Sequence, residues 1–464
     1  MEGRMRSDPA EYELVAPATL SAVVSLLAES PGRWLPIAGG TDVMVQYAAG
    51  KLSARKLVSL WNLPELRRID VSEHELSIGA GCTYSDLREH DLVEREFPLL
   101  ASAASWTGGV ANQNRGTLGG NIVNASPAAD SLPALLVYEA DLILVSARGE
   151  RRVHYVDFHT GYKKTLLAQD ELIRAVILAR RFAGYIAYSR KVGARNAQAI
   201  SKVCVAALGR VVGGVVDDVR IAAGSVAPTP LRLCETERVL SGKSIDVALM
   251  LRAREAASGE IRAIDDIRST GAYRSAVVSN LVAEFLGKLS AAARASELLN
   301  RWNQLPHEEA AREILDCCGS VEWARKLASR RPLEHEQSLV TASDEVWNSL
   351  GANDWMEAFS KHPRIGEQKA PAAATSQSTQ WSTQEQQNVS ASDDAVRAAL
   401  RQANEAYEGR FGRVFIVCAT GKSASEMMEI LRWRLQNDDA AELREAAEEQ
   451  RKITNIRLRK WLNQ

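Results

Sequence analysis

The chain of 464 residues lacks an excess of either charge: 57 lysines and arginines stand against 58 aspartates and glutamates. That balance argues against a nucleic-acid or anionic-membrane partner, since both call for a basic surface. Cysteine is sparse. Cys82, Cys204, Cys234, Cys317, Cys318 and Cys418 show neither the C-x-x-C spacing of zinc sites nor the clustering of iron–sulfur sites. The chain is therefore expected to carry no cluster of its own, and its thiols to be reduced and structural. No apolar run nears the roughly 18 residues of a membrane span, and no secretory h-region follows MEGRMRSDPAEYE. A cytoplasmic protein is expected, which makes the sequons at Asn124 and Asn388 accidental. Also missing is the G-x-G-x-x-G of a Rossmann strand–helix unit, so a standard nicotinamide site is disfavoured.

What is present falls into two parts. Up to about residue 290, strand and helix patterns alternate. LSAVVSLLAES puts Leu20, Val23, Val24 and Leu27 on one helical face, and RWLPIAGGTDV reads as a short strand entering a glycine turn. KLVSL, LSIGA, DLILVS, RRVHYV, ELIRAVIL, KVCVAAL and DDVRIAAGSVA read as further strands, and DVALMLRAREAAS as a helix. From about residue 297 the strand signal stops. EEAAREILDCCG, VEWARKLASRR, DEVWNSL and NDWMEAFSKH are short amphipathic helices. ASDDAVRAALRQANEAYEGRFG carries Val396, Leu400, Ala403 and Tyr407 on one stripe, with Asp393 or Asp394 as cap and Gly409 as stop. Ser423 and Glu426 have capping-box spacing. A change of structural class at one point predicts two independent domains fused in one chain. GEQKAPAAATSQSTQWSTQEQQN, between Gly366 and Asn388, is predicted to be a mobile loop inside the helical domain.

Two glycine loops, AGGTDV (Ala38 to Val43) and GTLGGN (Gly116 to Asn121), sit about 75 residues apart, each expected to follow a strand. Either alone reads as an ordinary turn. Together they could clamp a pyrophosphate with backbone amides, with Thr41, Thr117 and Asn121 adding side-chain donors. In the tail, Pro363 pushes His362 out of helical conformation, off the end of its helix. A lone histidine is usually a surface or core residue, and Ser382 and Glu385, one helical turn apart, read by spacing as a cap with a solvated face. RVFIVCATGKS fails as a phosphate loop, because Ile416 stands where G-x-x-x-x-G-K-S/T needs glycine.

AGGTDV, NRGTLGGNIVNASPAADSLPALL, DFHTGYKKTLL, YSRKVGARNAQAISKV and GSVAPTPLR resemble, over about residues 11 to 285, the flavoprotein subunit of molybdenum hydroxylases, nearest the FAD-binding subunits of bacterial xanthine dehydrogenases. The resemblance implies an α+β fold: a two-lobed PCMH-type FAD-binding domain (11–180) followed by an α+β subdomain (181–290). It implies that Pro36, Ile37, Ala38, Gly39, Gly40, Thr41, Asp42 and Val43 hold the diphosphate and adenosine part of FAD. Thr117, Leu118, Gly119, Gly120 and Asn121 would close on the same group. Asn124 and Asp130 would lie along the ribityl or ribose hydroxyls, and Ile173 and Lys191 near the cofactor. Thr107 stands where vertebrate-type members place an aromatic over the flavin. Since the chain has no molybdopterin or iron–sulfur domain, two partner subunits are implied to carry those groups, with NAD as one candidate acceptor.

CGSVEWARKLASRRP, FSKHPRIG, WSTQEQ, GRVFIVCATGKS and ITNIRLRKWL resemble OHCU decarboxylase over residues 297–464, an all-helical enzyme that converts 2-oxo-4-hydroxy-4-carboxy-5-ureidoimidazoline (OHCU) to (S)-allantoin. The match implies His362 as catalytic acid/base with Glu385 as its partner, and an assembly of copies through this domain. Pro363, Ser382, Gln386, Ile416, Val417, Cys418, Ala419, Thr420 and Arg457 would bind substrate, and Thr383 takes a place often basic in the family. The substrate's ring C=N can accept the electrons released with CO2, so the expected site is metal-free and supplies geometry and a proton. Both resemblances belong to purine breakdown, which implies a bifunctional catabolic protein. Three alternatives stay open: a helical tail that only docks partners, a hydroxylase for another substrate, and a stand-alone flavin oxidase.

Overall fold

A computed structural model of the chain describes residues 7–195, 198–364, 381 and 394–463. The chain forms two compact units, Met1–Ser290 and Ala291–Gln464.

The first unit is built on three main sheets. Strands Glu13–Val15, Lys56–Ser59 and Leu35–Ile37 form a small parallel sheet, with Lys56–Ser59 in the middle. Helix Leu20–Glu29 covers it, capped by Thr19, whose Oγ1 accepts from Ala22 N at 3.2 Å. Its buried Leu20, Val23, Val24 and Leu27 pack on Val58 and Leu63, as the helical spacing predicts. A five-stranded antiparallel sheet follows, in the order Ile69–Val71, Glu75–Gly79, Leu172–Ala179, Asp141–Ser146, Gly149–His154. Asp141–Ser146 alternates half-buried and buried residues, because one sheet face rests on the core.

The third sheet runs Ile186–Val192, Val203–Val212, Val215–Gly224, Leu231–Arg232. Seven consecutive residues from Val203 are buried, since Ala206 and Leu208 face one core while Val203, Val205 and Ala207 face another. Burial on both faces turns period-2 alternation into the continuous apolar run KVCVAAL. It also brings this sheet against helix Leu132–Val137 of the preceding lobe, and so places Lys191 and Ser201 within reach of Asp130.

Helix Gly271–Gln304 carries the boundary between the units at Ser290/Ala291. Part of it is long and apolar enough to cross a membrane, contrary to the expectation that no such run exists. Val278, Leu281, Val282, Phe285, Leu286 and Leu289 explain the composition: they fill the core beside the third sheet.

Among the described residues the regular elements of the second unit are all helices. DEVWNSL is the end of a longer helix, Glu336–Asn348, followed by Ala352–Ser360. Trp302, Trp323, Trp347, Trp381 and Trp461 are buried together. Trp302 Nε1 donates to Ala310 O (3.0 Å) and Trp347 Nε1 to Ala447 O (2.9 Å), which ties helices together through indole N–H groups. The helix expected to stop at Gly409 runs to Phe411. Gly412 is the residue with positive φ (+64°), and glycine accepts that conformation without the Cβ penalty. Ser423 and Glu426 form the expected capping box. The segment 366–388 lies almost wholly outside the described residues.

Candidate active sites

In the first unit the two glycine loops come together. Strand Leu35–Ile37 delivers Ala38 to Asp42 to a short helix, Val43–Ala48. The second loop does not follow a strand. It follows helix Val110–Gln113 and enters helix Leu118–Asn124, whose cap Thr117 accepts from Gly120 N at 3.1 Å. A Cβ on Gly39 would lie 1.5 Å from the carbonyl oxygen of Arg115, so glycine there allows the two backbones to touch. Gly119 plays a similar part, since a Cβ there would lie 2.6 Å from that of Ala80, and its N–H donates to Ala80 O (2.9 Å). Both glycines thus serve chain-to-chain approach, whereas Gly120 is exposed and faces outward.

The amides of Gly39, Gly40, Thr41 and Asp42 have no acceptor among the described residues, and neither has that of the buried Thr117. A run of unengaged amides at a junction of two loops suits an anion. Arg115, absent from the sequence-based reading, adds a cation at the same place. Its Nε donates to Gly39 O (3.4 Å) and its guanidinium lies 3.7 Å from the Trp61 ring centroid. The signal was available, since Arg115 directly precedes Gly116 in NQNRGTLGG. Leu118 is in the core, and Asn121 Oδ1 accepts from Ser131 Oγ (2.8 Å), which leaves the amide –NH2 of Asn121 to point elsewhere.

Asp130 and Lys191 are neither solvated nor separate. Lys191 Nζ donates to Asp130 Oδ2 (2.6 Å) and to Trp106 O (2.9 Å), while Ser201 Oγ donates to Asp130 Oδ1 (2.5 Å). Both carboxylate oxygens are therefore engaged by protein. Burial raises the Asp130 pKa, against the pull of Lys191. The chain of polar contacts continues: Ser225 Oγ donates to Ser201 O (3.0 Å), and buried Arg274 donates to Ser225 O (2.6 Å) and to Asp266 Oδ1 (2.6 Å). Asn124 accepts from Lys163 Nζ at 2.7 Å. Ile173 is buried in the core beside a register shift in strand Leu172–Ala179. Thr107 caps helix Pro98–Trp106, its Oγ1 donating to Ala103 O (2.8 Å).

The second unit gathers another set. His362 lies two residues beyond helix Ala352–Ser360 and is buried, with its backbone N–H on Phe359 O (3.1 Å). Its Nε2 is enclosed and has no hydrogen-bond partner among the described residues. Burial, then the charge of Arg457, holds its pKa well below the ordinary histidine value. Arg457 and Gln450, both buried, come from helix Asp439–Leu462 and bear on the imidazole. Gln450 was missed from sequence. Its signal was a polar stripe, Gln450, Thr454 and Arg457, at i, i+4 and i+7 on a helix face that also buries Leu458 and Trp461.

Ile416 to Ala419 run extended between two cores: Ile416 and Cys418 face one, Val417 and Ala419 the other, while Thr420 is exposed. Side chains hold this segment where a neighbouring strand would otherwise do so. Cys418 N donates to Glu449 Oε2 (2.7 Å) and Arg434 Nη1 to Ile416 O (2.6 Å). Arg434 is itself fixed by a fully buried ion pair with Glu442, on which Tyr407 Oη and Asn437 also converge. Pro363 follows His362 directly. Glu385, Ser382, Gln386 and Thr383 lie outside the described residues.

The first unit thus brings two loops together with unengaged amides suited to an anion, and the second buries His362, Arg457 and Gln450. The family model "FAD binding domain in molybdopterin dehydrogenase" matches residues 10–180, and "CO dehydrogenase flavoprotein C-terminal domain" matches residues 188–289. "OHCU decarboxylase" matches residues 303–459. Over 278 residues the chain is 32% identical to the xanthine dehydrogenase FAD-binding subunit of Escherichia coli O157:H7, covering 60% of this chain and 95% of that one. The chain therefore belongs to the FAD-binding subunits of the molybdopterin dehydrogenases, and it carries an OHCU decarboxylase domain as well. A further relative, the uric acid degradation bifunctional protein TTL of Arabidopsis thaliana, is 38% identical over 145 residues, 31% of this chain and 44% of that protein. Among solved structures, carbon monoxide dehydrogenase from Hydrogenophaga pseudoflava matches with TM-score 0.57 at 28% identity, covering 59% of this chain and 95% of that one. FAD is the cofactor of the first unit, and both units are enzymatic.

Proposed function

We propose that this chain is the FAD electron-transfer subunit of a xanthine dehydrogenase-type hydroxylase and, in the same polypeptide, the decarboxylase that turns OHCU into (S)-allantoin. One observation carries the reading: a single chain holds both the paired-loop amide cradle around Gly39 and Thr117 and the enclosed His362 beside Arg457. We assign the residues from Pro36 to Val43 and from Thr117 to Asn121, with Arg115, to the FAD diphosphate and adenosine. Asn124, Asp130, Ile173 and Lys191 flank the rest of the cofactor. Because Asp130 is paired to Lys191 and Ser201, it orients Lys191 and the loop at Ser201 around that cofactor. Bound FAD supplies an acceptor that takes electrons singly or in pairs, which suits traffic from iron–sulfur centres on one partner subunit and a molybdopterin centre on another.

In the helical unit, His362 delivers or accepts the proton at the carbon that loses CO2, and Arg457 neutralises the substrate carboxylate. The extended backbone from Ile416 to Thr420 offers amides and carbonyls to the ureido and ring groups. Pro363, Ser382 and Gln386 complete the substrate site, and Glu385 partners His362. The reading fits a cytoplasmic place in purine breakdown.

The experiment is circular dichroism of freshly made OHCU with and without the chain. Faster growth of the (S)-allantoin signal than in the enzyme-free control supports the decarboxylase; equal rates sink it. Flavin bleaching by xanthine in the complex with its partner subunits tests the other half. A different hydroxylase substrate is the second reading, because the glyceraldehyde dehydrogenase medium chain of Sulfolobus acidocaldarius is nearly as similar, at 30% identity over 273 residues.

A further inference from the structure

Asp130 holds both ends of the connection between strands Ile186–Val192 and Val203–Val212. Lys191 meets its Oδ2 from the entry, and Ser201 meets its Oδ1 from the exit. Beside them Lys202 N donates to Val192 O (2.8 Å), so the two ends close on each other. Ser225, which follows strand Val215–Gly224, anchors this closure from a third element. Its N–H donates to Pro127 O (2.7 Å), its Oγ donates to Ser201 O (3.0 Å), and its carbonyl accepts from Arg274 Nη1 (2.6 Å). Ser225 is buried, and so is Arg274, which Asp266 holds in turn. The φ of Ser225 is +64°, a left-handed conformation that serine keeps only where its surroundings enforce it. Glycine takes that conformation freely. What serine adds here is therefore its hydroxyl, and the hydroxyl goes to Ser201.

We propose that Ser225 is a positioning residue of the flavin site, which holds Ser201 against Asp130 and thereby aims the Lys191 ammonium at the cofactor. An ammonium has three N–H groups. Those of Lys191 that are engaged among the described residues go to Asp130 and to Trp106 O, which leaves one to meet a ligand. The Lys191 side chain is 13% exposed, so a ligand can reach it. Pro127 lies shortly before Asp130 in the chain. The N–H of Ser225 therefore fixes the segment that carries Asp130, while its hydroxyl fixes the segment that carries Ser201. Arg274 engages the remaining polar group of Ser225 and so locks it between the two. The inference rests on the assignment of Lys191 to the FAD site; Ser225 acts on that site through Ser201 and Asp130.

The test uses the full chain, stripped of FAD and titrated back with it under flavin fluorescence. Ser225→Gly removes the hydroxyl and keeps the backbone conformation. It should weaken FAD binding about tenfold, the scale of one buried hydrogen bond. The melting temperature of the FAD-free chain should stay near that of wild type, because relief of the left-handed strain offsets the lost bond. Ser225→Ala, which keeps the strain, should match Ser225→Gly in FAD affinity and melt at a lower temperature. Ser225→Gly/Lys191→Met should bind FAD no more weakly than Lys191→Met alone, because the hydroxyl works through Lys191. Wild-type affinity in Ser225→Gly, with affinity lost in Lys191→Met, overturns the proposal alone. So do losses that simply add in the double variant. Wild-type affinity in Lys191→Met overturns the assignment of Lys191 to the cofactor, and the proposal falls with it.

Discussion

Two single residues each make a prediction. Gly39 has no space for a side chain against the Arg115 carbonyl. Gly39→Ala must part the two loops, an overpacking cost of about 1–3 kcal/mol, and with it the amide cradle. The purified variant should lose its FAD absorbance after gel filtration; full retention would contradict the assignment of this junction to the cofactor. His362 is held neutral in the folded chain, whereas the unfolded chain protonates it near its ordinary value of 6.5. The unfolded state then binds the extra proton, so this contribution to stability is full above pH 6.5 and shrinks as pH falls. His362→Gln should accordingly lose stability less steeply than wild type as pH drops from 6.5 to about 5. Tryptophan fluorescence reads this out in the second unit, where Trp302, Trp323, Trp347, Trp355, Trp381, Trp433 and Trp461 lie. Parallel curves for the two chains would count against a neutral buried ring.

At the scale of elements, buried polar links hold segments that have little else to fix them. The extended run at Ile416 has no neighbouring strand among the described residues and depends on Arg434, whose pairing with Glu442 is wholly enclosed. Arg434→Met leaves the Glu442 carboxylate buried without its cation, which costs about 3–5 kcal/mol. Urea unfolding followed by fluorescence should show that loss, with Arg434→Met/Glu442→Leu recovering part of it; a double variant worse than the single would refute the account. Lys191→Met makes the matching test in the first unit, where Asp130 would lose its counter-charge. It should lower both thermal stability and FAD affinity, and Asp130→Asn/Lys191→Met should be milder than Lys191→Met alone.

The elements themselves were largely readable. LSAVVSLLAES, DLILVS and the Ser423 capping box are where the sequence puts them, because helix periodicity, strand alternation and capping act within a few residues. Where the structure departs from these expectations, a neighbour decided. Gly409 lies in the last turn of its helix, because the chain reaches its left-handed turn only at Gly412. The second glycine loop starts from a helix because residues 110–113 close a turn of their own after Gly109.

For the whole molecule, the two units have separate cores: Leu299 and Trp302 pack with Trp461, while Phe285 and Leu289 pack with the third sheet. Residues 291–464 expressed alone should fold and accelerate OHCU decarboxylation at a rate near that of the full chain. A fragment that folds yet is inactive would show that the helical site needs the flavoprotein unit. By itself the sequence determined the change of structural class, the glycine loops, the histidine before proline and the family of each half. These are written in short runs, where local propensity and motif spacing suffice. Only the tertiary structure decided that Gly39 and Gly119 serve chain packing, that Asp130 is paired with Lys191 and Ser201, and that His362 is buried with Arg457 bearing on it. Periodicity tells which face of an element is buried, but not which side chain from a distant part of the chain will be buried against it.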